Sequence, residues 1–378
     1  MRYAFPFGLS IALHAYVGSR LVEAMPHTAG LAFALLLVLS ALLVPLGLFA
    51  RRLEKSGTAV LAWAGLLFMG LFSSLLVLTV VRDVFLLLAS LAGAAGITPW
   101  PGDTLRRTTA EAVPVLALLA TFVGFLNARR TAAVKTVEIA IPNLPEALHG
   151  FRIVQISDIH VGPTIRDRQV QGIVDAVNRL EADLVAITGD LVDGSVTELT
   201  SHVAPLALLA SREGSFFVTG NHEYYSGVVP WIAELERLGI RNLHNEHVVI
   251  ERDGAQLVLG GVTDFGGVHF HESHRSDPHA AIAGAPEDAA FRVLLAHQPR
   301  SAAAAAQAGF DLQLSGHTHG GQFLPWNFLV KLQQPFTAGL HAMDELLVYV
   351  SRGTGYWGPP KRFGAPSEIT LVKLLRTA

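Results

Sequence analysis

Apolar residues crowd the first 130 positions of this chain and then give way to short apolar runs separated by mixed stretches. Two runs carry no charge, Gly30 to Ala50 with 21 residues and Ser56 to Val81 with 26. As helices, each is long enough to cross a hydrocarbon layer about 30 Å thick. Ala4 to Ser19 and Ala112 to Ala128 are flanking uncharged runs of 16 and 17 residues, the first containing His14 and the second Pro114. The pattern predicts about four transmembrane helices within residues 1–130, at roughly 4–19, 30–50, 56–81 and 112–128. A cleaved leader is the competing reading of the first run, but Ser19-Arg20-Leu21-Val22 lacks a small-x-small cleavage pattern and stronger apolar runs follow. Val84 to Ile97 is apolar but too short to span alone, and it is expected to extend the third helix or to pack at the interface. His14, near the end of its run, is expected at the membrane surface.

Residues 131–378 read as a globular α/β domain, large enough for a substantial core. Residues 152–157, 183–188, 215–219, 291–296 and 311–315 are predicted strands. Between the first two, Val170, Ile173, Val174, Val177 and Leu180 recur at helical spacing. Ala302 to Ala306 is a further predicted helix.

The candidate chemistry lies at the strand ends. Five motifs, SDIH (157–160), GDLVDG (189–194), GNHE (220–223), AHQP (296–299) and SGHTHGGQ (315–322), each begin where a predicted strand stops. In open α/β sheets ligands bind beyond the carboxyl ends of strands, so these distant segments are expected to converge. Asp158, His160, Asp190, Asn221, His297, His317 and His319 form an oxygen and nitrogen donor set for divalent metals, with enough ligands for two ions. That chemistry points to phosphoester hydrolysis. A single Asp after a strand more often caps a helix or makes a turn, and Asp167 and Asp193 are read that way. The histidines of Val268–His279 have no regular ligand spacing and are read as a solvated loop; a substrate-facing loop is the alternative. Arg352 and Arg362, in glycine-rich loops, are candidate phosphate clamps or simply surface residues.

Composition adds exclusions. The chain is 51% hydrophobic and only 16% charged, and its formal net charge of −3 gives no reason to expect a nucleic-acid partner. With no cysteine, disulfides and thiolate metal sites are excluded. In a four-span arrangement Arg2, Arg51, Arg52, Lys55, Arg129, Arg130 and Lys135 share one side, and Arg20, Arg82, Arg106 and Arg107 the other. That bias predicts a multi-pass inner-membrane protein with its C-terminal domain in the cytoplasm.

The order and spacing of the five motifs resemble the calcineurin-like metallophosphoesterases. SGHTHGGQ together with SRGTGYWGPPKRFGAPSEIT (351–370) is similar to a membrane-anchored bacterial branch of the YkuE and YaeI type. The resemblance implies a four-layer α/β/β/α sandwich behind the membrane helices. It implies that Asp158, His160 and His319 hold one ion, that Asn221, His297 and His317 hold a second, and that Asp190 bridges them. The ions would be Mn, Fe or Zn. His222 is similar to the family's non-ligand histidine that assists the leaving oxygen. The implied substrate is a phosphodiester or pyrophosphate, and membrane residence favours a lipid-linked one such as UDP-diacylglucosamine. A protein phosphatase of the calcineurin kind is disfavoured, because Thr219 stands where those enzymes carry Arg. A non-catalytic membrane sensor or scaffold with a metal-binding domain is the reading from a different class.

Overall fold

The computed structural model describes residues 4–50 and 58–377. Arg2, Arg51, Arg52, Lys55, the start of the 56–81 run and Ala378 lie outside the described residues. The chain forms two compact units, residues 1–129 with 358–363, and residues 130–357 with 364–378.

Among the described residues the first unit holds four α-helices: α1 (Ala4–Leu21), α2 (His27–Ala50), α3 (Thr58–Ala94) and α4 (Asp103–Arg129). Three of them, α2, α3 and α4, are long and apolar enough to cross a membrane; α1, with 18 residues, is not among the three. Val84 continues α3 without a break through Arg82 and Asp83, because Arg82 can remain helical with its guanidinium bonded to the carbonyls of Arg20 and Arg106. α4 begins nine residues before the predicted start, with Asp103 in its first turn, where an acid suits the helix dipole. Gly47 and Gly65 let α2 and α3 touch through their backbones, since a β-carbon at either would collide with the other.

The expectation for His14 is overturned. Its ring is only 4% exposed and lies mid-helix, stacked on Phe72 at 3.5 Å. Nδ1 donates to the Ser10 carbonyl at 2.7 Å and Nε2 accepts from the Ser40 hydroxyl at 2.8 Å. With both nitrogens partnered inside the bundle, burial costs less than the sequence position suggested.

The second unit is built on two mixed six-stranded sheets. The first contains β1 (Ala133–Pro142), β2 (Arg152–Ile156), β3 (Leu184–Ile187), β4 (Ser215–Phe217), β5 (Ile240–Asn242) and β12 (Glu368–Thr377), in the order β1-β12-β2-β3-β4-β5. The second contains β6 (Glu246–Arg252), β7 (Ala255–Gly261), β8 (Phe291–Leu295), β9 (Leu312–Ser315), β10 (Gly339–Met343) and β11 (Leu346–Val350), in the order β10-β11-β9-β8-β7-β6. One buried cluster joins Ile153, Leu184 and Phe216 of the first sheet to Leu259, Val293 and Leu314 of the second, so the sheets pack face to face. On the other side of the second sheet, Leu294 and Val348 pack with Ala302 and Ala305 of helix α10 (Ala302–Gln307). Helix α5 (Asp167–Asn178) lies between β2 and β3 in sequence and buries Val170, Ile173, Val174 and Val177, as its spacing predicted. The strands β2, β3 and β4 pair in parallel, as do β7, β8 and β9, so the motif-bearing ends point the same way within each sheet. This is the expected α/β architecture.

Candidate metal centre

Beyond the ends of β2 and β3 the chain continues as two aligned loops. Asp158 N–H donates to the Gly189 carbonyl at 3.0 Å, His160 N–H to the Asp190 carbonyl at 3.1 Å, and Val161 pairs in parallel with Val192. This rail sets Asp158, His160 and Asp190 side by side. From the other sheet, β8 delivers His297 and β9 delivers His317 and His319, and the Gly316 N–H bonds the His297 carbonyl at 2.9 Å. Gly316 has no substitute there, because a β-carbon would collide with the Ser157 hydroxyl and the Asp158 carboxylate.

Among the described residues the side chains converge as three potential ligand groups, Asp158 with His160 and His319, Asp190 with His297 and His317, and His160 with Asp193 and His222. His160 Nε2 and His319 Nε2 are 3.0 Å apart, and His317 Nδ1 lies 3.2 Å from His297 Nε2. His297 Nε2 is 3.2 Å from Asp190 Oδ2, and His319 Nε2 is 3.5 Å from Asp158 Oδ1. Asn221 opens helix α7 (Asn221–Ser226), and its Oδ1 is buried with no hydrogen-bond partner among the described residues. A buried carboxamide oxygen without a donor, and imidazole nitrogens that face one another, suit a cation far better than an empty polar cavity. The donor set therefore fits divalent metal.

Backbone conformation carries the same signature. Asp158, His160, Asp190, His317 and His319 all have φ between 52° and 69°. Left-handed φ is uncommon for residues with a side chain, and five of seven candidate ligands adopting it marks a site where strain is held by the surrounding fold.

The protonation states follow from burial and neighbouring charge. Burial pushes His317 down, and the charge of His297 pushes it further, to about 3, so the imidazole is neutral and able to ligate. Burial alone would raise Asp190, but His297 and His222 hold its carboxyl well below the usual range. Burial raises Asp158, with His297 opposing. For His222, burial is outweighed by Asp190 and Asp193, and its pKa is pushed up to about 9.

Two residues at this centre were not recognised from the sequence. Asp193, read as a turn residue, accepts from Nδ1 of His160 at 3.1 Å and from Nδ1 of His222. It thereby orients a candidate ligand and the candidate acid together. The only signal in the sequence was its place at the end of GDLVDG. Asp167 behaves as expected, opening α5 and pairing with His202. The second is Glu223, fully buried, whose carboxylate accepts the backbone N–H groups of Gly220, Asp190, Leu191 and Val192 at 2.7, 3.0, 2.7 and 3.3 Å. It ties the start of α7 to the loop carrying Asp190. Its pKa is raised to about 7 by burial and by Asp190.

The remaining candidates are placed differently. Arg352 lies beside Gly320, next to His319, and its guanidinium meets Glu368 at 3.5 Å. Arg362 is fully buried in the helical unit, where its N–H donates to the Gly124 carbonyl at 2.8 Å. In the histidine-rich stretch His269, His271 and His279 are exposed, as expected. His274 is the exception, buried with Nδ1 2.9 Å from the Tyr224 hydroxyl. Thr219 is buried and its hydroxyl accepts the Asp264 N–H at 3.1 Å, a bond that Arg at this position could not make.

Residues 151–321 match the calcineurin-like phosphoesterase family. The chain is 42% identical over 311 residues to a transmembrane protein with metallophosphoesterase domain from Bos taurus, covering 79% of this chain and 70% of that protein. It is 36% identical over 262 residues to an uncharacterised metallophosphoesterase of Campylobacter jejuni, covering 69% of this chain and 68% of the relative. With the YkuE metallophosphoesterase of Bacillus subtilis the identity is 28% over 267 residues, 67% of this chain and 90% of that one. The chain belongs to the calcineurin-like phosphoesterase family, and is a metal-dependent hydrolase of phosphoric esters. Within that family its likeness to transmembrane relatives and its three apolar helices make it a membrane-associated member.

Proposed function

We propose that this chain is a multi-pass inner-membrane enzyme that holds two divalent ions and hydrolyses a phosphodiester or pyrophosphate bond. Asp158, His160 and His319 would hold one ion, Asn221, His297 and His317 the other, and the Asp190 carboxylate would serve both. The observations that carry this reading are two facing imidazole pairs, His160 with His319 and His297 with His317, and the buried Asn221 Oδ1, which has no hydrogen-bond partner among the described residues. Mn, Fe and Zn all accept such ligands. When bound, two such ions supply charge neutralisation at the phosphoryl group and an acidified water as nucleophile.

The protein's own groups do the rest. His297 donates Nδ1–H to the Thr188 carbonyl at 2.7 Å, which leaves Nε2 as its ligand nitrogen. Asp193 does the same for His160 and holds the His222 ring in place. His222, carrying its proton beside Asp193, gives that proton to the leaving oxygen. Asp193 stabilises the imidazolium before transfer, as a carboxylate behind a catalytic histidine does elsewhere.

Membrane association favours a lipid-linked substrate, with UDP-diacylglucosamine as the sharpest candidate, and in a four-span arrangement the Lys and Arg bias favours a cytoplasmic catalytic domain. The test is hydrolysis by the purified, metal-reconstituted full chain of phosphomonoesters, bis-phosphodiesters, cyclic nucleotides and nucleotide-linked lipids. Turnover of diesters or of the pyrophosphate lipid is expected. Turnover of monoesters alone refutes the bond assignment, and full metal loading with no turnover at all favours the sensor reading.

A further inference from the structure

Immediately after the last ligand motif the chain presents a run of apolar side chains to solvent. Leu324, Trp326, Phe328, Leu329 and Leu332 are 40%, 46%, 62%, 45% and 80% exposed, and the short helix α11 (Trp326–Val330) on which three of them sit buries none of its residues. A soluble surface tolerates single exposed leucines, but five large apolar groups within nine residues form a patch that requires a partner.

The patch is built onto the metal centre. Gly321, two residues after His319, lies so close to Asn327 that a β-carbon would collide with its backbone, which seats α11 directly on the ligand loop. The Gln322 carboxamide brackets the backbone of Trp357, donating to its carbonyl at 2.9 Å and accepting its N–H at 3.0 Å. Trp357 is 42% exposed and meets the His222 ring edge-on at 5.8 Å. The same apolar rim continues through Tyr225, 5.3 Å from His222, to Phe270 at 5.7 Å.

Charge narrows the choice of partner. From Ser315 to Met343 there is no Asp or Glu, and the single charged residue is Lys331, set among the exposed apolar groups. Tryptophan, phenylalanine and leucine around a lysine make an interfacial composition, in which rings lie at the headgroup level and the ammonium meets anionic headgroups. A second copy of the chain is a poor fit, because five side chains on one loop fall far short of the roughly 20–30 residues a side of a stable dimer.

We infer that the loop from Leu324 to Leu332 is a lipid-docking element, seated in the interfacial layer of an anionic bilayer. The inference stands apart from the catalytic reading and is measured without turnover. Because the chain has no cysteine, Phe328→Cys and Leu332→Cys each give one attachment point for an environment-sensitive fluorophore in the full-length protein. Leu208→Cys, at a position 59% exposed at the end of a short 3-10 helix (Ala204–Leu208) of the same unit, is the control. In nanodiscs of phosphatidylcholine and phosphatidylglycerol, brominated acyl chains are expected to remove most of the emission at 328 and 332 and to leave 208 unchanged. Emission at 328 and 332 insensitive to bromination overturns the inference. A blue shift that instead rises with protein concentration also overturns it and assigns the patch to a second copy.

Discussion

Glu223→Gln isolates the least expected part of the centre. In the native carboxylate, one oxygen accepts from Leu191 and Val192 and the other from Asp190 and Gly220. A glutamine of nearly the same shape replaces one oxygen by NH2, so two buried N–H groups lose their acceptor and face a donor. Each such buried donor costs about 1–3 kcal/mol, and the pair about 2–6 kcal/mol. The loss falls on the loop carrying Asp190 whichever oxygen is replaced, because each accepts at least one N–H from residues 190–192. Hydrogen exchange at the amides of 190–192 in the metal-free protein should therefore accelerate by at least about thirtyfold, the equivalent of the lower bound. Metal content measured after dialysis should fall in parallel, since Asp190 is no longer held. Glu223→Gln with unchanged exchange and full metal loading would falsify the assignment of Glu223 as the clamp on this loop.

Asp190→Asn should abolish hydrolysis and reduce bound metal, because a neutral amide cannot balance two dications; two tightly held ions with normal turnover count against the bridging role. His222→Ala should keep its metal and lose turnover, with a smaller loss on a nitrophenyl ester than on an alkyl ester, since a good leaving group needs less protonation; equal losses point to a structural role. In the metal-free protein, a histidine held at about 9 by Asp190 and Asp193 stabilises the fold fully below its unfolded value near 6.5 and loses that contribution as pH rises through 9. The apparent Tm should accordingly drop between pH 6.5 and 9, by an amount worth up to about 3 kcal/mol, and His222→Ala should flatten the profile. Fusions of a phosphatase reporter that works only in the periplasm should be silent after residue 135 and active near Gly102; the reverse pattern rejects the cytoplasmic placement.

Much of this molecule is written in local sequence. Chains of 21 and 26 uncharged residues have no other economical fate than apolar helices, and each ligand motif announces itself by following a short apolar strand. What a residue type can bind is a local property, so Asp158, His297 and the paired histidines of SGHTHGGQ are legible as candidate donors from the sequence alone. What a residue meets is not local. Asp193 reads as a turn until His160, from a loop 33 residues before it, and His222, from the start of a helix 29 residues after it, close on it. Glu223 reads as an ordinary helix-start acid until four N–H groups from two loops aim at it. His14 looked interfacial because its partners Ser40 and Phe72 are 26 and 58 residues distant. β12, from the end of the chain, slots between β1 and β2, parallel to one and antiparallel to the other, a pairing that no periodicity encodes. Donor chemistry is carried by single side chains, whereas orientation, burial and strain arise only when distant segments pack, and those were decided by the tertiary structure.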